Sequence, residues 1–379
     1  MIPQLLDINV TIRLVGALGT AFMLMLLVMP GLIRWLKRKK FGETGAKHQG
    51  AAVVDAMREG KKGTPTMGGL GIVLCIASTA LLWCDPFAPR TWLLLFGLLA
   101  FALLGYLDDR TKIFKGAKGT PLFVKLGIQI GTALGCGIGL WLIEAHYAQT
   151  LNPAGTATYL KELVGGTYTV ALGSHQVAIP FVGIHHAIYL GMFSAVWTMF
   201  VTIACANGVN FTDGMDGLAA GTMVIAALAF AIIAYLVSRV DAAQYLGTFF
   251  VPGGADVAVF CAAIAGACLG FLWFNCAPAE VFMGDTGSQA LGGVLGLIAL
   301  NTKQEFLILL VGAIFVVEAL SVALQIASFR LRGGKRIFLC APIHHHFQMQ
   351  GWSETKIVTR FWIIAAACAL LAVATLKIG

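Results

Sequence analysis

The sequence predicts an all-α polytopic integral membrane protein of about ten transmembrane helices, with a small β-hairpin in one outer loop. Three observations carry this reading. Hydrophobic residues make up 58% of the 379-residue chain and charged residues only 12%, with a mean hydropathy of +0.84. A soluble domain carries about 25% charged and about 45–50% apolar residues. Apolar runs recur at the length that spans a hydrocarbon core of about 30 Å at about 1.5 Å per helical residue. Many are too long to be the buried strands of a soluble α/β protein. Finally, the basic residues gather in alternate loops.

Taken in order, the predicted spans lie near 14–34, 67–84, 91–107, 122–143, 187–207, 218–237, 257–275, 288–301, 305–327 and 361–376. The start, MIPQLLDINVTIRLVGALG, lacks a basic stretch and carries Asp7, so it reads as the approach to a first span rather than a cleaved signal peptide. The eighth span is short and glycine-rich, and pairs with the ninth across NTKQE as a close hairpin. An even number of spans puts both termini on one side. The chain is therefore one membrane domain over 1–379, with loops 35–66, 108–121, 208–217, 276–287 and 328–360 on one face and the long connection 144–186 on the other. Within that connection, TYTVALGSHQVAIP (167–180) alternates in polarity and breaks at Gly173 and Ser174, the pattern of a β-hairpin. The connection 238–256, containing VPGG, reads as irregular.

The net charge of +8 comes from 26 basic and 18 acidic residues, and 20 of the 26 fall in the first set of loops or at their margins. The excess of Lys and Arg in short loops places that face in the cytoplasm and both termini outside. The charge is thus a topology signal, aided by attraction to anionic lipid heads, and not a nucleic-acid footprint. Most of the nine cysteines sit inside apolar runs, without metal-ligand spacing or a disulfide framework, and read as small buried hydrophobes.

All five cytoplasmic loops or their margins carry distinctive polar sequence: KKGTPTMGG (61–69), GYLDDRTK (105–112), NGVNFTDGMDGLA (207–219), FNCAPAEVFMGDTGS (274–288) and APIHHHFQ (341–348). Asp108 and Asp109 are adjacent carboxylates that repel, so one wants a cation nearby. Lys112, one turn on, can pair with Asp108, whereas Lys125 is equally explained as a snorkelling lysine. Asp213 and Asp216 share a face if a helix begins by 213, where they would cap backbone N–H groups. Gly214 and Gly217 instead favour close approach of the backbone to a ligand, and Asn207 and Asn210 offer amides to a base or sugar. Asp285 lies in a turn whose Gly284, Gly287 and Ser288 could cradle phosphate through N–H donors, or it could ligate Mg²⁺ through hard oxygens. Phe282 is a stacking surface for a planar base, or simply an interfacial aromatic. His344, His345 and His346 point in different directions and lack thiolate companions, so phosphate contact fits them better than zinc. Glu318, an acid inside the ninth span, reads as a helix-packing hydrogen bond.

These parts describe a phosphate and Mg²⁺ site at one membrane face. The chain has no GxxxxGKS/T loop and no internal repeat. A transporter would keep its charges near the bilayer midplane and show inverted repeats, so an enzyme acting on a lipid head group is the better reading.

PTMGG, LDD, NFTDGMDGLA, FMGDTGS and PIHHHF resemble the motifs of the phospho-N-acetylmuramoyl-pentapeptide transferases, a branch of the polyprenyl-phosphate N-acetylhexosamine-1-phosphate transferase superfamily. The resemblance runs nearly end to end. The aspartate motifs are common to the superfamily, whereas PTMGG with the triple histidine marks the branch. Family members often follow the histidines with Phe-Glu; this chain has Phe347 and Gln348, so no catalytic carboxylate is assigned there. The resemblance implies transfer of phospho-N-acetylmuramoyl-pentapeptide from its UDP derivative to undecaprenyl phosphate, releasing UMP, by a homodimer in the bacterial inner membrane. It implies that Asp285 binds Mg²⁺, that Asp108 acts on the lipid phosphate, and that Asp109 supports it or the metal. Asp213 and Asp216 would line the nucleotide pocket with Phe282 against uracil. Lys62, Lys112, Lys125, Asn210, Asn275, His344, His345 and His346 would contact nucleotide or phosphates. Competing expectations are a sister enzyme using UDP-N-acetylglucosamine, a lipid or anion transporter, and a scaffold.

Overall fold

A computed structural model of the chain describes residues 9–39, 61, 63–115, 119–151, 158–163, 166–179 and 184–377. In chain order the helices are α1 (Val10–Arg38), α2 (Gly69–Trp83), α3 (Pro89–Lys115), α4 (Leu122–Leu151), α5 (Ser194–Thr212), α6 (Leu218–Val237), α7 (Val240–Leu246), α8 (Gly254–Asn275), α9 (Gly284–Asn301), α10 (Ile308–Val311), α11 (Ala313–Leu331), α12 (Ile343–Met349) and α13 (Glu354–Thr375).

α1 shows how the sequence makes these helices. Asn9 caps it by accepting the Thr11 N–H at 3.0 Å, and Lys37 and Arg38 sit in its last turn, where cations complement the dipole. Its buried residues Ala17, Ala21, Met25, Met29, Ile33 and Leu36 recur at three- and four-residue steps, while Ile12, Val15, Met23 and Leu27 face outward. The buried stripe packs on α8, which is apolar all round and mostly buried, as a central helix should be. α9 is the second central helix, packed between α3 and α5. Small residues let it in: Gly292 and Gly296 lie against Cys205, Ala206 and Thr202 of α5, and a methyl at Gly105 of α3 would collide with the Asp285 carbonyl.

Among the described residues, eight helices are long and apolar enough to cross a membrane, two fewer than the ten expected. The shortfall has two physical causes. α2 is apolar but has 15 residues, a rise of about 22 Å. α9 has 18 residues but carries Asp285, Ser288, Gln289 and Asn301, which lower its hydropathy. The predicted ninth span is also not continuous, since Gly312 separates α10 from α11.

The outer connection differs from expectation too. The hairpin pairs β1 (Thr158–Leu163) with β2 (Gly166–Ala171), antiparallel, with Thr158 opposite Ala171. TYTVA is thus its second strand, not its first. Gly173 and Ser174 lead instead into a separate short pair, β3 (Gln176–Val177) with β4 (Ile188–Tyr189). The connection expected to be irregular holds α7 before the turn at Gly253.

Polar contacts tie the helix ends together at both faces. At the far end, Arg13 pairs with Asp256 and donates to the Trp83 carbonyl at 2.9 Å. Arg90 donates to the Pro252 carbonyl and to Asn301 Oδ1, both at 2.8 Å. Glu144 accepts the His175 N–H at 2.7 Å and pairs with Lys303. The opposite, lysine-rich end gathers the loop motifs.

Candidate active site

Two clusters form at the lysine-rich end, joined by residues 275–286. The first is built on α3, α4 and α9. Asp108, 3% exposed, lies near the end of α3. Its Oδ2 meets Lys112 Nζ at 3.0 Å and Lys125 Nζ at 3.1 Å, and its Oδ1 accepts the Thr120 N–H at 2.7 Å. Asp285, in the first turn of α9, presents its Oδ2 to the same two ammonium groups at 2.9 Å each. Two carboxylates from different helices thus face one point, with two lysines shared between them. Lys112 is the partner expected one turn beyond Asp108; Lys125 does more than snorkel.

Asp109 faces the other way. It accepts the N–H groups of Asp285 at 3.0 Å and Thr286 at 2.9 Å, and the Thr286 hydroxyl at 2.7 Å. It therefore caps α9 from another helix and fixes Asp285 in place. This corrects the expected phosphate-cradling turn at 284–288: those residues are helical, and the N–H groups of 285 and 286 are already taken by Asp109. Asn210 extends the same wall by donating to Ser288 Oγ at 2.8 Å. Asn207, in contrast, turns into the bundle, where it exchanges hydrogen bonds with Gln129 at 3.3 and 3.4 Å.

The second cluster surrounds Phe282. Residues 213–217 are a loop between α5 and α6, with Asp213 at the α5 C-cap and Gly217 at φ +78°, a left-handed conformation that glycine adopts freely. The shared helical face expected for Asp213 and Asp216 is therefore absent. Asp216, 5% exposed, accepts Lys61 Nζ at 2.6 Å and the Ala279 N–H at 3.1 Å. Asn275 holds the loop from beneath, accepting the Gly217 N–H at 3.0 Å and donating to the Val281 carbonyl at 2.8 Å. Its amide is a brace between two segments rather than a group open to substrate. Lys61 lies 5.9 Å from the Phe282 ring centroid. The backbone of 282–283 pairs with that of 65–69 through three hydrogen bonds of 2.8–2.9 Å, which locks PTMGG against FMGD. Lys62 lies outside the described residues.

The histidines share α12 but diverge. His344, fully buried, sets Nδ1 3.1 Å from Glu318 Oε1 and lies under Gly214, where a Cβ would strike its ring. Glu318 thus stands beside the first histidine across helices. His345 shares a 2.9 Å hydrogen bond with Gln348, and His346 accepts the Leu339 N–H at 3.1 Å. Among the described residues no group of three or more His, Cys, Asp or Glu side chains converges on a metal-sized point. Two carboxylates aimed at one point, Asp108 and Asp285, still suit Mg²⁺, which commonly takes one or two protein carboxylates and completes its shell with water and substrate phosphates.

Comparison with known proteins accords with this geometry. The profile of glycosyl transferase family 4 matches residues 91–303. The phospho-N-acetylmuramoyl-pentapeptide-transferase of Desulfotalea psychrophila is 42% identical over 370 residues, covering 97% of this chain and 94% of the relative. The chain belongs to the phospho-N-acetylmuramoyl-pentapeptide-transferase family. The similarly named proteins of Solidesulfovibrio magneticus, 40% identical over 370 residues, and Ruegeria pomeroyi, 42% over 373, have the same coverage of both chains. The transferase keeps most of the polar residues singled out from sequence at one end of the bundle. Two contributors were missed. Lys61 is one of two adjacent lysines that sequence cannot rank. Glu354 reads from sequence as an ordinary acid in the first turn of a helix.

Proposed function

We propose that this transferase moves phospho-N-acetylmuramoyl-pentapeptide from its UDP derivative to undecaprenyl phosphate, releasing UMP, at the cytoplasmic face of the bacterial inner membrane. The observation that carries the reading is the pair Asp108 and Asp285, drawn from two helices onto the same two lysines at the basic end of the bundle. The excess of Lys and Arg in that end's loops supports its cytoplasmic placement, with both termini outside. Homodimer assembly belongs to the same reading and follows the family resemblance.

An oxygen of the lipid phosphate attacks the sugar-bearing phosphorus, and UMP leaves with the electron pair of the broken P–O bond. Both reactants are anionic, so the chain must hold them together against repulsion. Lys112 and Lys125 can pass from the carboxylates to phosphate oxygens, since each ammonium is a multiple donor. Asp285 and Asp108 would hold Mg²⁺, which when bound offsets charge on the diphosphate. Asp109 keeps Asp285 pointed at that place through the start of α9. The Phe282 ring, with Lys61 and Asp216 beside it, receives the uracil. A phosphate monoester is already largely ionised near pH 7, so little base strength is needed. The acceptor thus needs no covalent relay through an aspartate, which favours direct attack over an aspartyl intermediate.

The test is UMP release by purified protein in detergent with Mg²⁺, UDP-N-acetylmuramoyl-pentapeptide and undecaprenyl phosphate. Release with a lipid-linked product only when all three are present upholds the reading. Release with UDP-N-acetylglucosamine alone moves the chain to the sister reaction. Silence from folded protein returns the transporter and scaffold readings.

A further inference from the structure

Glu354 opens α13, where an acid ordinarily serves the helix dipole. Here its carboxylate is committed elsewhere. Both oxygens accept from Lys61 Nζ, at 2.7 and 2.8 Å, and Oε1 also accepts the Asp216 N–H at 2.7 Å. Lys61 in turn donates to Asp216 Oδ1 at 2.6 Å. The neighbouring N–H, that of Gly217, is taken by Asn275. Two consecutive amides of the 213–217 loop are thus claimed by Glu354 and Asn275. This aims the Asp216 carboxylate at Lys61 and the Ala279 N–H.

We propose that Glu354 is a positioning residue for nucleotide recognition, holding Lys61 and Asp216 as one unit beside Phe282. The proposal rests on the nucleotide reading of that pocket. A lysine held by one carboxylate would sample many rotamers; held by two, it meets a ligand already ordered, which lowers the entropic cost of binding. The unit also has a chemical preference. Two carboxylates and one ammonium leave it one negative charge in excess. It is suited to a neutral base with both donor and acceptor edges and repels a diphosphate, which is thereby directed to Lys112 and Lys125. The two clusters would so orient the donor substrate end to end.

Steady-state kinetics on the full chain in detergent test this, with E354Q, E354D, K61A and the E354Q/K61A double variant. E354Q should raise KM for UDP-N-acetylmuramoyl-pentapeptide about tenfold, as for loss of one charge-assisted hydrogen bond, with kcat changed less than about threefold. The KM for undecaprenyl phosphate should stay fixed, and competitive inhibition by UMP should weaken in parallel. E354D should recover part of the loss, and the double variant should be no worse than K61A, because the two side chains act as one. A fall in kcat at constant donor KM, or additive losses in the double variant, would overturn the proposal. If K61A weakens UMP while E354Q and E354D do not, the positioning role falls and the nucleotide reading stands. If K61A instead raises the acceptor KM and leaves UMP inhibition unchanged, the nucleotide reading itself fails. Should E354Q not fold, E354D keeps the charge and retracts it by one methylene, and an unchanged donor KM there would count against the proposal.

Discussion

At the far end of the bundle, Arg13 and Asp256 meet with side chains 9% and 10% exposed, and Lys303 and Glu144 with 8% and 4%. At the lysine-rich end, Lys112 serves Asp108 and Asp285 with 38% of its side chain exposed, and Lys61 serves Asp216 and Glu354 with 26%. Both ends set acids against bases, but the far pairs are sealed from solvent, whereas at the open end Lys112 and Lys61 are each shared between two acids. A sealed pair can only be broken, at the cost of an uncompensated buried charge. Lys112, shared and half-open, can change partners when phosphate arrives, while Lys61 stays held between its two acids. One end fastens the helices; the other is built for exchange.

The largest effect should come from removing a shared acid. Asp285→Asn is expected to lower turnover by about 10³-fold, the scale of losing a main electrostatic contact in a transition state. Its melting temperature should stay near that of the unsubstituted chain, because Asp109 still caps α9. Asp108→Asn should behave alike; a loss of folding instead of turnover in either would erase the distinction between the two ends. The converse is Arg13→Met, which strands Asp256 and should cost about 3 kcal/mol of stability. The UMP release rate per folded molecule should hold, and a fall in it would mean that the far end reaches the chemistry. Lys125→Met should slow turnover by about 30-fold, because it leaves two carboxylates facing a single ammonium.

The smallest effect concerns pH. Glu305, between α9 and α10, is 3% exposed, and burial pushes its carboxyl up to about 7 from an ordinary 4.5, against the pull of Lys303. The unfolded chain gives up this proton first. The contribution to stability is therefore whole below pH 4.5 and is lost as pH rises through about 7. Glu305→Gln should remove that slope from thermal unfolding measured across this window. An unaltered slope would show that another group carries it.

Much of this was legible in the sequence, for reasons that can be located. A run of apolar residues long enough to cross a bilayer has few other uses, so the spans and the gathering of loop motifs at one end were recoverable. What failed depended on partners distant in sequence. GDTGS looks like a turn because two glycines and a serine favour one, yet Asp109 caps it into helix from 176 residues away. Asp213 and Asp216 have helical spacing, but the left-handed Gly217 keeps them in a loop. The outer hairpin was misplaced by one strand because the break at Gly173 and Ser174 was read as its turn, whereas TYTVA pairs with the strand before it. Lys61 and Lys62 are indistinguishable without knowing where Asp216 lies. Of the ten expected spans, eight are long and apolar enough to cross a membrane among the described residues; the other two, one short and one polar, are helices that the bundle packs.

The stretch from 275 to 286 touches both clusters in turn. Asn275 braces Gly217, the Ala279 N–H reaches Asp216, the Phe282 N–H pairs with Pro65, and the N–H groups of 285 and 286 meet Asp109. A connection between helices would normally trade its amide protons with solvent freely. Here the Ala279 and Phe282 N–H groups are bonded to residues far off in the chain, and those of Cys276 and Glu280 to nearer carbonyls, so these four should exchange with deuterium more slowly than the amides of an open loop. The two ends of a bound donor would then be coupled through a segment that is a loop by shape and a girder by bonding.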